Sequence, residues 1–392
     1  MRLLLILPRV EPGEVLTPKR CPTPGCKGKR FRFHQAVAKA VRDTQYPNVI
    51  AHRYECLTCH HTFRIYPRGV SRAHISQRVT GLGVMLYLLG LSYGAVSLAL
   101  EALDVYVCKS RVYDAVQAAA QRVPGLKRRA VFEGLRTPAL GGDVTSVRCR
   151  GGWLPLGLSV DATTGLVLSV DRLTGEDAET LKAWMAPIAE AVGAEILVSD
   201  DADAFKIVAD DLGLEQQVCK SHVKRNTEAL ITGLKPQVAR DADGSLAAIG
   251  VSPEQAMADL DRLGELTRTR RPEDQVELKA LHARYVDAAP PRRGETSSPA
   301  FSLAYRLRLL FLDRWNLWSR LTRYRTWRGP AGQTLDGTNN DSERAIGWWI
   351  KERYRPMRGY KRPQSAVNVS RLLAWCGNHL ARGGADLALL TA

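Results

Sequence analysis

Residues 139–173, which read ALGGDVTSVRCRGGWLPLGLSVDATTGLVLSVDRL, decide the fold of this chain. Apolar residues alternate with small or polar ones, and clusters of turn residues interrupt the pattern, as is typical of consecutive strands. The interruptions are Gly151-Gly152 and the segment 162–165, which reads ATTG. We therefore predict three strands, over residues 139–147, 153–161 and 166–173.

The pattern changes to helices and strands in alternation after residue 173. Residues 176–192 predict an amphipathic helix with Thr174 as its N-cap, 195–200 a short apolar strand, and 202–212 a second helix. Residues 216–219 allow one more strand. This order predicts an α/β fold with a mixed sheet flanked by helices. Residues 223–330 lose the strand pattern and read as helical, as do 338–350 and 367–380.

The charge of the chain is uneven. Its 392 residues contain 56 Lys and Arg against 40 Asp and Glu, a net charge of +16. Residues 1–130 hold 21 of these cations and 7 of the acids, and therefore carry +14 of that charge. Such a basic excess indicates nucleic acid as the partner before an anionic membrane. The hydrophobic fraction of 45% excludes wholesale disorder, and the length predicts two or three domains.

Two pairs of cysteines lie in the basic N-terminal part. Cys21-x4-Cys26 is followed about thirty residues later by Cys56-x2-Cys59, with aromatic residues alternating around them. Four thiolates in two such knuckles form the closed tetrahedral shell of one structural Zn²⁺. We expect a zinc ribbon over residues 1–70 and a reducing cytosolic compartment. His60 and His61 are alternative ligands, but four cysteines already complete the shell, so we place both on the surface.

Three short apolar segments follow the cysteines, at about 78–90, 93–102 and 110–121. Short helices with tight turns match a helix-turn-helix over residues 71–130, whose third helix would read DNA. That helix would begin near Ser110 and present Lys109 and Arg111 to a groove. A plain three-helix linker is the alternative. Residues 81–100 carry no charge, but their glycines favour two short buried helices over a membrane span.

Three carboxylates lie where metal chemistry would require them. Asp143 follows two glycines in the first strand, Asp200 ends the strand 195–200, and Glu343 lies in a helix opened by Asn339-Asn340. Carboxylates at strand ends of one sheet can converge with a third from a packed helix. Oxygen ligands of this kind suit Mg²⁺, and two such ions would favour phosphodiester chemistry. Spacing alone does not single these three out from the 40 acidic residues.

The neighbours of these carboxylates resemble the sequence blocks of Mutator-like (MULE-type) insertion-sequence transposases. The middle block is matched by Ser199-Asp200-Asp201-Ala202, Cys219-x2-His222 and Arg225-Asn226. The last block is matched by Thr338-Asn339-Asn340-x2-Glu343 and Arg358-Gly359-Tyr360-Lys361, and the first by Gly142-Asp143-Val144-Thr145. The resemblance covers residues 140–365, over half of the chain. It depends on the order of the blocks rather than on any single one.

This resemblance implies a ribonuclease-H-like mixed sheet with a DDE site, in which Asp143, Asp200 and Glu343 hold two Mg²⁺ or Mn²⁺ ions. The core would occupy 131–222 and 331–392, with 223–330 as a helical insertion, behind the zinc ribbon and the helix-turn-helix. The implied activity is cleavage and strand transfer of double-stranded DNA by a transposase whose N-terminal domains bind the terminal repeats. The pattern departs from the family at Asp201, where a Gly is more usual. This leaves open whether Asp200 or Asp201 is the second carboxylate of the site, and we favour Asp200 because it directly ends the strand.

The same resemblance carries expectations about assembly and location. The two ends of an element must be paired before joining, so we expect a homodimer or a larger assembly on DNA. We expect no organic cofactor, no membrane contact and a cytoplasmic location at the nucleoid.

Two Cys-x2-His pairs remain, Cys219 with His222 and Cys376 with His379. Together they would supply one Cys2His2 metal site. Alternatively, Cys219 is a small buried residue and His222 lies beside the catalytic pocket, where it could contact a phosphate or a reacting oxygen. A plain core or capping role is the third interpretation.

A cationic segment with interleaved aromatic residues follows Glu343. Because cations neutralise phosphates, the candidate DNA contacts are Arg344, Arg355, Arg358, Lys361 and Arg362. Trp348 and Trp349 are expected mostly in the core. Residues 306–327 repeat the mixture of arginine and tryptophan, which allows either a helical pair with an aromatic seam or a DNA contact.

Two other functions are compatible with the same residues. A metal-dependent nuclease of the same core would cut DNA without joining it. A non-catalytic DNA-binding regulator derived from a transposase would bind DNA independently of all three carboxylates, and the intact order of the blocks argues against it.

Overall fold

The structure, a computed structural model, describes residues 5–123, 135–290, 301–354, 359–380 and 385–391. Its strands are β1 (Leu5–Ile6), β2 (Phe31–Ala40), β3 (Asn48–Cys56), β4 (Thr62–Ile65), β5 (Ala139–Cys149), β6 (Gly152–Asp161), β7 (Val167–Arg172), β8 (Ile196–Ser199), β9 (Glu215–Val218) and β10 (Ala385–Asp386). Its longer helices are α1 (Gln77–Leu88), α2 (Tyr93–Glu101), α3 (Lys109–Arg122), α4 (Ala178–Val192), α5 (Asp203–Asp211), α6 (Lys220–Val238), α8 (Pro253–Thr269), α9 (Gln275–Ala283), α10 (Leu303–Leu321), α12 (Asn340–Ala345) and α14 (Pro363–Leu380). The shorter ones are α7 (Ser245–Ala248), α11 (Arg323–Thr326), α13 (Glu352–Tyr354), α15 (Ala388–Thr391) and the 3-10 turn Pro272–Asp274. A π-helical segment, Ile346–Lys351, lies between α12 and α13.

The central sheet has five strands in the order β7-β6-β5-β8-β9. The strands β5, β6 and β7 pair antiparallel, whereas β8 pairs parallel with both β5 and β9. Helix α4 connects β7 to β8, and α5 connects β8 to β9. The predicted α/β class with a mixed sheet is confirmed, and this sheet is consistent with a ribonuclease-H-like core.

Two local predictions in this part of the chain were wrong. The turn between β5 and β6 is Arg150-Gly151 rather than Gly151-Gly152, because both residues take positive φ, +53° and +81°, as a two-residue hairpin turn requires. The N-cap of α4 is Asp177 rather than Thr174. Its side chain accepts the Thr180 N–H at 2.9 Å, and this bond fixes the start of the helix.

The two faces of β5 contact different helices, because alternate residues of a strand point to opposite sides. A Cβ at Gly142 would lie 2.9 Å from Met185 of α4, whereas a Cβ at Gly141 would lie 2.9 Å from Ser342 of α12. Asp143 shares the face of Gly141. The first candidate carboxylate therefore points toward α12 and away from α4.

Strands β2, β3 and β4 form a separate antiparallel sheet in the N-terminal part. Its small buried core consists of Val10, Val41, Val49 and Val70. One cysteine pair precedes β2, and the other lies at the end of β3 and in the turn to β4. So small a core leaves this sheet dependent on another stabilising element.

The uncharged stretch 81–100 is divided between α1 and α2, which confirms two short helices there. The break contains Gly90, whose φ is +116°. Helix α3 begins at Lys109 with Cys108 at the N-cap position, so Ser110 lies inside the helix and the predicted cap was wrong. In the described ranges no helix is long and apolar enough to cross a membrane.

Helix α14 packs against both α3 and the central sheet. One hydrophobic cluster contains residues of α1, α2 and α3 together with residues of β5, β6 and α14. Within it, Asn368 of α14 donates a buried hydrogen bond to the Gln117 side chain of α3 at 2.8 Å. The Tyr113 hydroxyl of α3 lies 3.0 Å from the Ser365 hydroxyl.

Helices α6–α10 pack around a hydrophobic core of their own between β9 and α12. Several arginines of this helical region make ion pairs within the protein. Arg320 contacts both carboxylate oxygens of Asp210 at 2.8 Å, and Arg323 pairs with Glu215. Arg314 is only 3% exposed. For these three arginines the structure favours the helical-pair interpretation over contact with DNA.

Candidate active site

Asp143 and Asp200 lie side by side on neighbouring parallel strands. The register of β5 and β8 pairs Gly141 with Val198. Asp143 and Asp200 each lie two residues beyond this pair, at the same height along the sheet. Because side chains alternate between the two faces, both point to the same face as Gly141 and Val198. Backbone N–H groups orient both carboxylates, at 2.8 Å for Asp143 and 3.1 Å for Asp200.

Glu343 approaches the same face from α12. Its side chain is 39% exposed, so it lies at the edge of the site. Burial raises the pKa of Asp143 to about 7, and the negative charges of Asp200 and Glu343 add to this rise. The hydrogen bond from the Val144 N–H has the opposite effect and lowers the pKa. Asp200 and Glu343 are therefore close enough to act electrostatically on Asp143. Among the described residues, the ligand atoms of the three carboxylates do not form a group within 4.8 Å of one another.

Asn339 links the Glu343 helix to the sheet. Its side-chain amide donates to the carbonyl of Gly142 at 3.4 Å, immediately before Asp143. Its backbone N–H donates to the Cys219 thiol at 3.3 Å, and its carbonyl accepts the Glu343 N–H at 3.0 Å. Asn339 thus fixes the first turn of α12 relative to both β5 and the start of α6.

A glycine permits this close approach of α12. A Cβ on Gly141 would lie 2.6 Å from Val160 and 2.9 Å from Ser342. Val160 is β-branched and has little rotamer freedom, so neither neighbour can move away easily. The sequence showed Gly141-Gly142 before Asp143, but not that only one of them faces the helix.

The structure separates Asp200 from Asp201. Asp201 forms an ion pair with Lys206 at 3.0 Å, and Lys206 also contacts Asp203 at 2.9 Å. Asp201 therefore has a fixed cation, whereas Asp200 acts on Asp143. This geometry favours Asp200 as the second carboxylate.

Cys219 and His222 lie beside Glu343. The ligand atoms of these three residues are all within 4.8 Å of one another, and His222 Nε2 is 3.5 Å from Glu343 Oε1. The Cys219 thiol already accepts the Asn339 N–H, which gives it a positioning role. The Nδ1 atom of His222 is buried without a hydrogen-bond partner among the described residues. The nitrogen of His222 that faces the carboxylate site is therefore Nε2, next to Glu343.

Cys376 is buried in the hydrophobic cluster that contains α14. Among the described side chains, Cys376 does not join Cys219 and His222 in a ligand cluster. The side chain of His379 lies outside the described residues. The structure therefore does not favour a shared Cys2His2 site.

Most of the candidate DNA-contacting cations that the structure describes are exposed, and one exposed lysine acts on the carboxylate site. Lys351, in the π-helical segment, lowers the pKa of Asp143 and is exposed. Arg344 is exposed and lies 3.6 Å from Asp341. The other candidate DNA contacts that the structure describes are exposed too, namely Lys109, Arg111, Lys361 and Arg362. Arg355 and Arg358 lie outside the described residues.

The four N-terminal cysteines form a second cluster. The Cys21 and Cys59 sulfurs are 3.7 Å apart, and those of Cys26 and Cys56 are 3.9 Å apart. Four sulfurs at about 2.3 Å from one tetrahedral zinc ion would be separated by about 3.8 Å. For Cys56, backbone N–H groups and the neighbouring thiols outweigh burial and lower the pKa to about 6. The cluster is compatible with a zinc ribbon.

Comparisons with known proteins give little further information. No family model and no curated protein matches the chain. Among solved structures, the catalytic core domain of BIV integrase is 13% identical and matches over 54% of this chain and 99% of its own length. The TM-score of that match is 0.17, which does not by itself establish a common fold.

Proposed function

We propose that this chain is a DDE transposase, a metal-dependent polynucleotidyl transferase that cleaves and joins DNA at the ends of an insertion sequence. The observation that carries the proposal is the proximity of three acidic residues, Asp143 in β5, Asp200 after the neighbouring strand β8, and Glu343 in the helix that packs against Gly141. The charges of Asp200 and Glu343 both act on Asp143. A site of this kind could perform several reactions on phosphodiesters. The resemblance of the surrounding sequence blocks to Mutator-like transposases supports transposition among them.

The donor set fits divalent cations. It consists of carboxylate oxygens, and Asp143 is largely buried and lies near the negative charges of Asp200 and Glu343, which a cation would offset. Asp143, Asp200 and Glu343 would hold two Mg²⁺ or Mn²⁺ ions. When bound, these ions would polarise the phosphodiester and increase the acidity of the attacking hydroxyl.

The residues of the chain position the reacting groups. Backbone N–H groups hold Asp143 and Asp200, and Asn339 holds the helix of Glu343. His222 would contact a phosphate or the reacting oxygen through Nε2, the nitrogen that faces Glu343. Catalysis would thus be positioning combined with electrostatic stabilisation.

The reaction would proceed in two displacements. Water attacks the phosphodiester at the end of the element and releases a 3′-hydroxyl. That hydroxyl then attacks a phosphodiester of target DNA and displaces another 3′-oxygen. Each bond that breaks is replaced by one that forms, so no energy-supplying cofactor is required.

The N-terminal parts would bind the terminal repeats of the element in double-stranded DNA. Their excess charge of +14 over residues 1–130 supports contact with phosphates. The exposed Lys109 and Arg111 at the start of α3 would reach a groove. A homodimer or larger assembly would pair the two ends.

The test uses purified protein, DNA that carries the flanks of its own gene, and Mg²⁺ or Mn²⁺. We expect cleaved and joined products from the parent and none from Asp200→Asn or Glu343→Gln. Asp201→Asn is the matched control, because Asp201 is paired with Lys206. Cleavage without joining would instead indicate a nuclease. Tight binding without either reaction would indicate a DNA-binding regulator.

A further inference from the structure

The hairpin of β5 and β6 ends in a basic aromatic tip that the reaction above does not use. Strand β5 continues to Cys149 although its pairing with β8 ends at Gly141. The residues Arg148, Arg150 and Trp153 at the end of this hairpin are here called the hairpin tip. All three are exposed.

Trp153 is the most unusual residue of the tip. Its side chain is 70% exposed, and burial therefore does not account for a large aromatic ring at this position. Arg148 lies directly opposite it across the ladder, with its guanidinium 5.8 Å from the centre of the indole ring. A cation and a flat ring are thus held together in solvent.

A second segment holds further cations against the tip. The Tyr360 N–H donates to the Arg148 carbonyl at 2.8 Å, and the Arg150 N–H donates to the Tyr360 carbonyl at 2.9 Å. Arg150 Nε also donates to the Lys361 carbonyl at 3.0 Å. Lys361 and Arg362 are therefore fixed beside the tip rather than on a free loop.

The same contacts continue to the helix-turn-helix. Arg362 donates to the Tyr113 hydroxyl of α3 at 3.3 Å, and its guanidinium lies 5.8 Å from the ring centre. Lys109 and Arg111 precede Tyr113 in the same helix. Residues 144–155 and 359–366 contain no Asp or Glu, although Asp114 of α3 lies near Arg111 in sequence. The result is an almost uninterrupted band of positive charge from α3 to the tip.

The tip and the carboxylates lie on opposite faces of one strand. Val147 and Cys149 pack into the hydrophobic cluster of α14, so Arg148 points to the other side. Five residues of strand separate Asp143 from Arg148, roughly 17 Å, which corresponds to about five nucleotides of a DNA strand. Duplex DNA, with a persistence length of about 150 base pairs, is too stiff to turn around the hairpin over that distance. An unpaired strand is flexible enough to do so.

We propose that the hairpin tip binds an unpaired DNA strand beside the cleavage site, with a base stacked on Trp153 and phosphates on Arg148, Arg150 and Lys361. Aromatic rings combined with cations bind single strands largely independently of sequence. The location beside a cleavage site rests on the proposed function. Binding of an unpaired strand by the tip does not.

The experiment measures the affinity of the full chain for two DNAs by fluorescence anisotropy. One is a blunt duplex, and the other is the same duplex with an unpaired thymidine flank. We expect the wild type to prefer the flanked DNA and Trp153→Ala to weaken its binding by about tenfold, with little change for the blunt duplex. Trp153→Phe should retain most of the preference. Phe301→Ala removes another exposed aromatic residue and should change neither affinity.

A second variant tests the charge without straining the turn. Arg150 has a positive φ of +53°, so Arg150→Gly removes the cation at a position where glycine is favoured. We expect the slope of the logarithm of the binding constant against the logarithm of the salt concentration, measured with the flanked DNA, to become shallower by about one. This change corresponds to about one fewer counterion released on binding. Far-ultraviolet circular dichroism of each variant checks that the chain is folded.

Two results would overturn the proposal. One is a wild-type protein that binds both DNAs equally. The other is a folded Trp153→Ala protein that retains the full preference for the flanked DNA. Strand joining is scored separately with Asp200→Asn. If the preference for flanked DNA depends on Trp153 but no strand joining is seen, strand binding by the tip is supported and the transposase proposal is contradicted. If joining is seen but the preference does not depend on Trp153, the transposase proposal is supported and strand binding by the tip is contradicted.

Discussion

Asn339 is the residue through which the position of Glu343 depends on the sheet. It is 2% exposed and contacts β5, the start of α6 and the first turn of α12. Removing its side-chain amide leaves the Gly142 carbonyl without that donor and allows α12 to shift. In an enzyme, a shift of about 1 Å can lower the rate by a factor of about one hundred.

We therefore predict that Asn339→Ala lowers the rate of strand joining by about ten- to one-hundred-fold with little change in DNA affinity. Asn340→Ala is the control, because Asn340 is exposed at the adjacent position. Rates at saturating DNA separate the rate constant from binding. A parallel loss of rate and affinity would mean that Asn339 contacts DNA instead of positioning α12.

The pKa of Asp143 predicts an effect of pH on stability. Because this pKa is raised from 3.8 to about 7, the folded state binds a proton that the unfolded state releases. Stability from this group is therefore complete below about pH 4 and is lost as the pH rises through 7. Asp143→Asn should lack the loss and, at pH 8 without metal, should be more stable than the parent by about 2 kcal/mol after solvent screening.

Urea unfolding of both proteins at pH 5 and pH 8 measures this difference. Adding Mg²⁺ at pH 8 should stabilise the parent and have a smaller effect on Asp143→Asn. Equal pH dependence of the two proteins would contradict the raised pKa. Because both are compared at each pH, the titration of other groups cancels.

Residue-scale prediction from sequence succeeded where a repeating pattern carries the information. The alternation in 139–147 indicates which residues of β5 share a face. The choice of Asp200 over Asp201, made from the end of the apolar strand, stays a prediction. The sequence did not indicate which side chain touches Gly142, because that contact joins residues 197 positions apart. Asn339 was visible only as part of a sequence block.

At the scale of elements, the N-terminal sheet depends on its cysteines. Strands β2–β4 share a small valine core, so a metal bound by the cluster would supply much of their folding free energy. Gly28 packs against this cluster, and a Cβ there would lie 2.5 Å from the Cys56 sulfur. The knuckle therefore leaves no room for a side chain.

We predict that the purified protein contains one zinc ion per chain and that Cys56→Ser removes it. Amide exchange in β2–β4 should then approach that of an unfolded segment, while the central sheet remains protected. Cys108→Ser is the control, because Cys108 is an exposed thiol outside the cluster. Unchanged protection of β2–β4 in the metal-free variant would show that the ribbon folds without zinc.

Elements with a strong local pattern were predicted well, and those that depend on tertiary contacts were not. The strands and helices from β5 to β9 lie close to their predicted bounds because alternation and caps are local. The predicted helix 338–350 is instead a short helix, α12, followed by the π-helical segment Ile346–Lys351. Such widened turns often occur at functional sites, and here the turn directly follows Glu343. The sequence pattern does not show this change of helix type.

At the scale of the whole molecule, the helical insertion and the active site are mechanically connected. Helix α6 starts directly after Cys219, and the chain returns from the helical region through Trp327 and Leu335, which pack on the sheet beside Ala139 and Val198. From there the chain enters α12 and Glu343. We expect this packing to influence how α12 and Glu343 approach the sheet.

Just before this return segment, Arg320 of α10 pairs with Asp210 of α5, and Arg323 of α11 pairs with Glu215 of β9. Both pairs are partly exposed, so each contributes about 1 kcal/mol or less to stability. We predict that Arg320→Gln combined with Arg323→Gln lowers the free energy of unfolding by only about 1 kcal/mol. The same change should slow strand joining by about tenfold, because Glu343 is held less firmly.

Amide exchange measured by mass spectrometry tests the connection directly. Exchange in residues 327–343 should become faster in the double variant, whereas β5 and β8 should be unchanged. Arg262→Gln is the matched control, since Arg262 pairs with Glu265 and Glu277 inside the insertion itself. If both variants left residues 327–343 equally protected while joining still fell, the arginines would act on DNA rather than on Glu343. The helical insertion would then be part of the DNA-binding surface instead of the support of the third carboxylate.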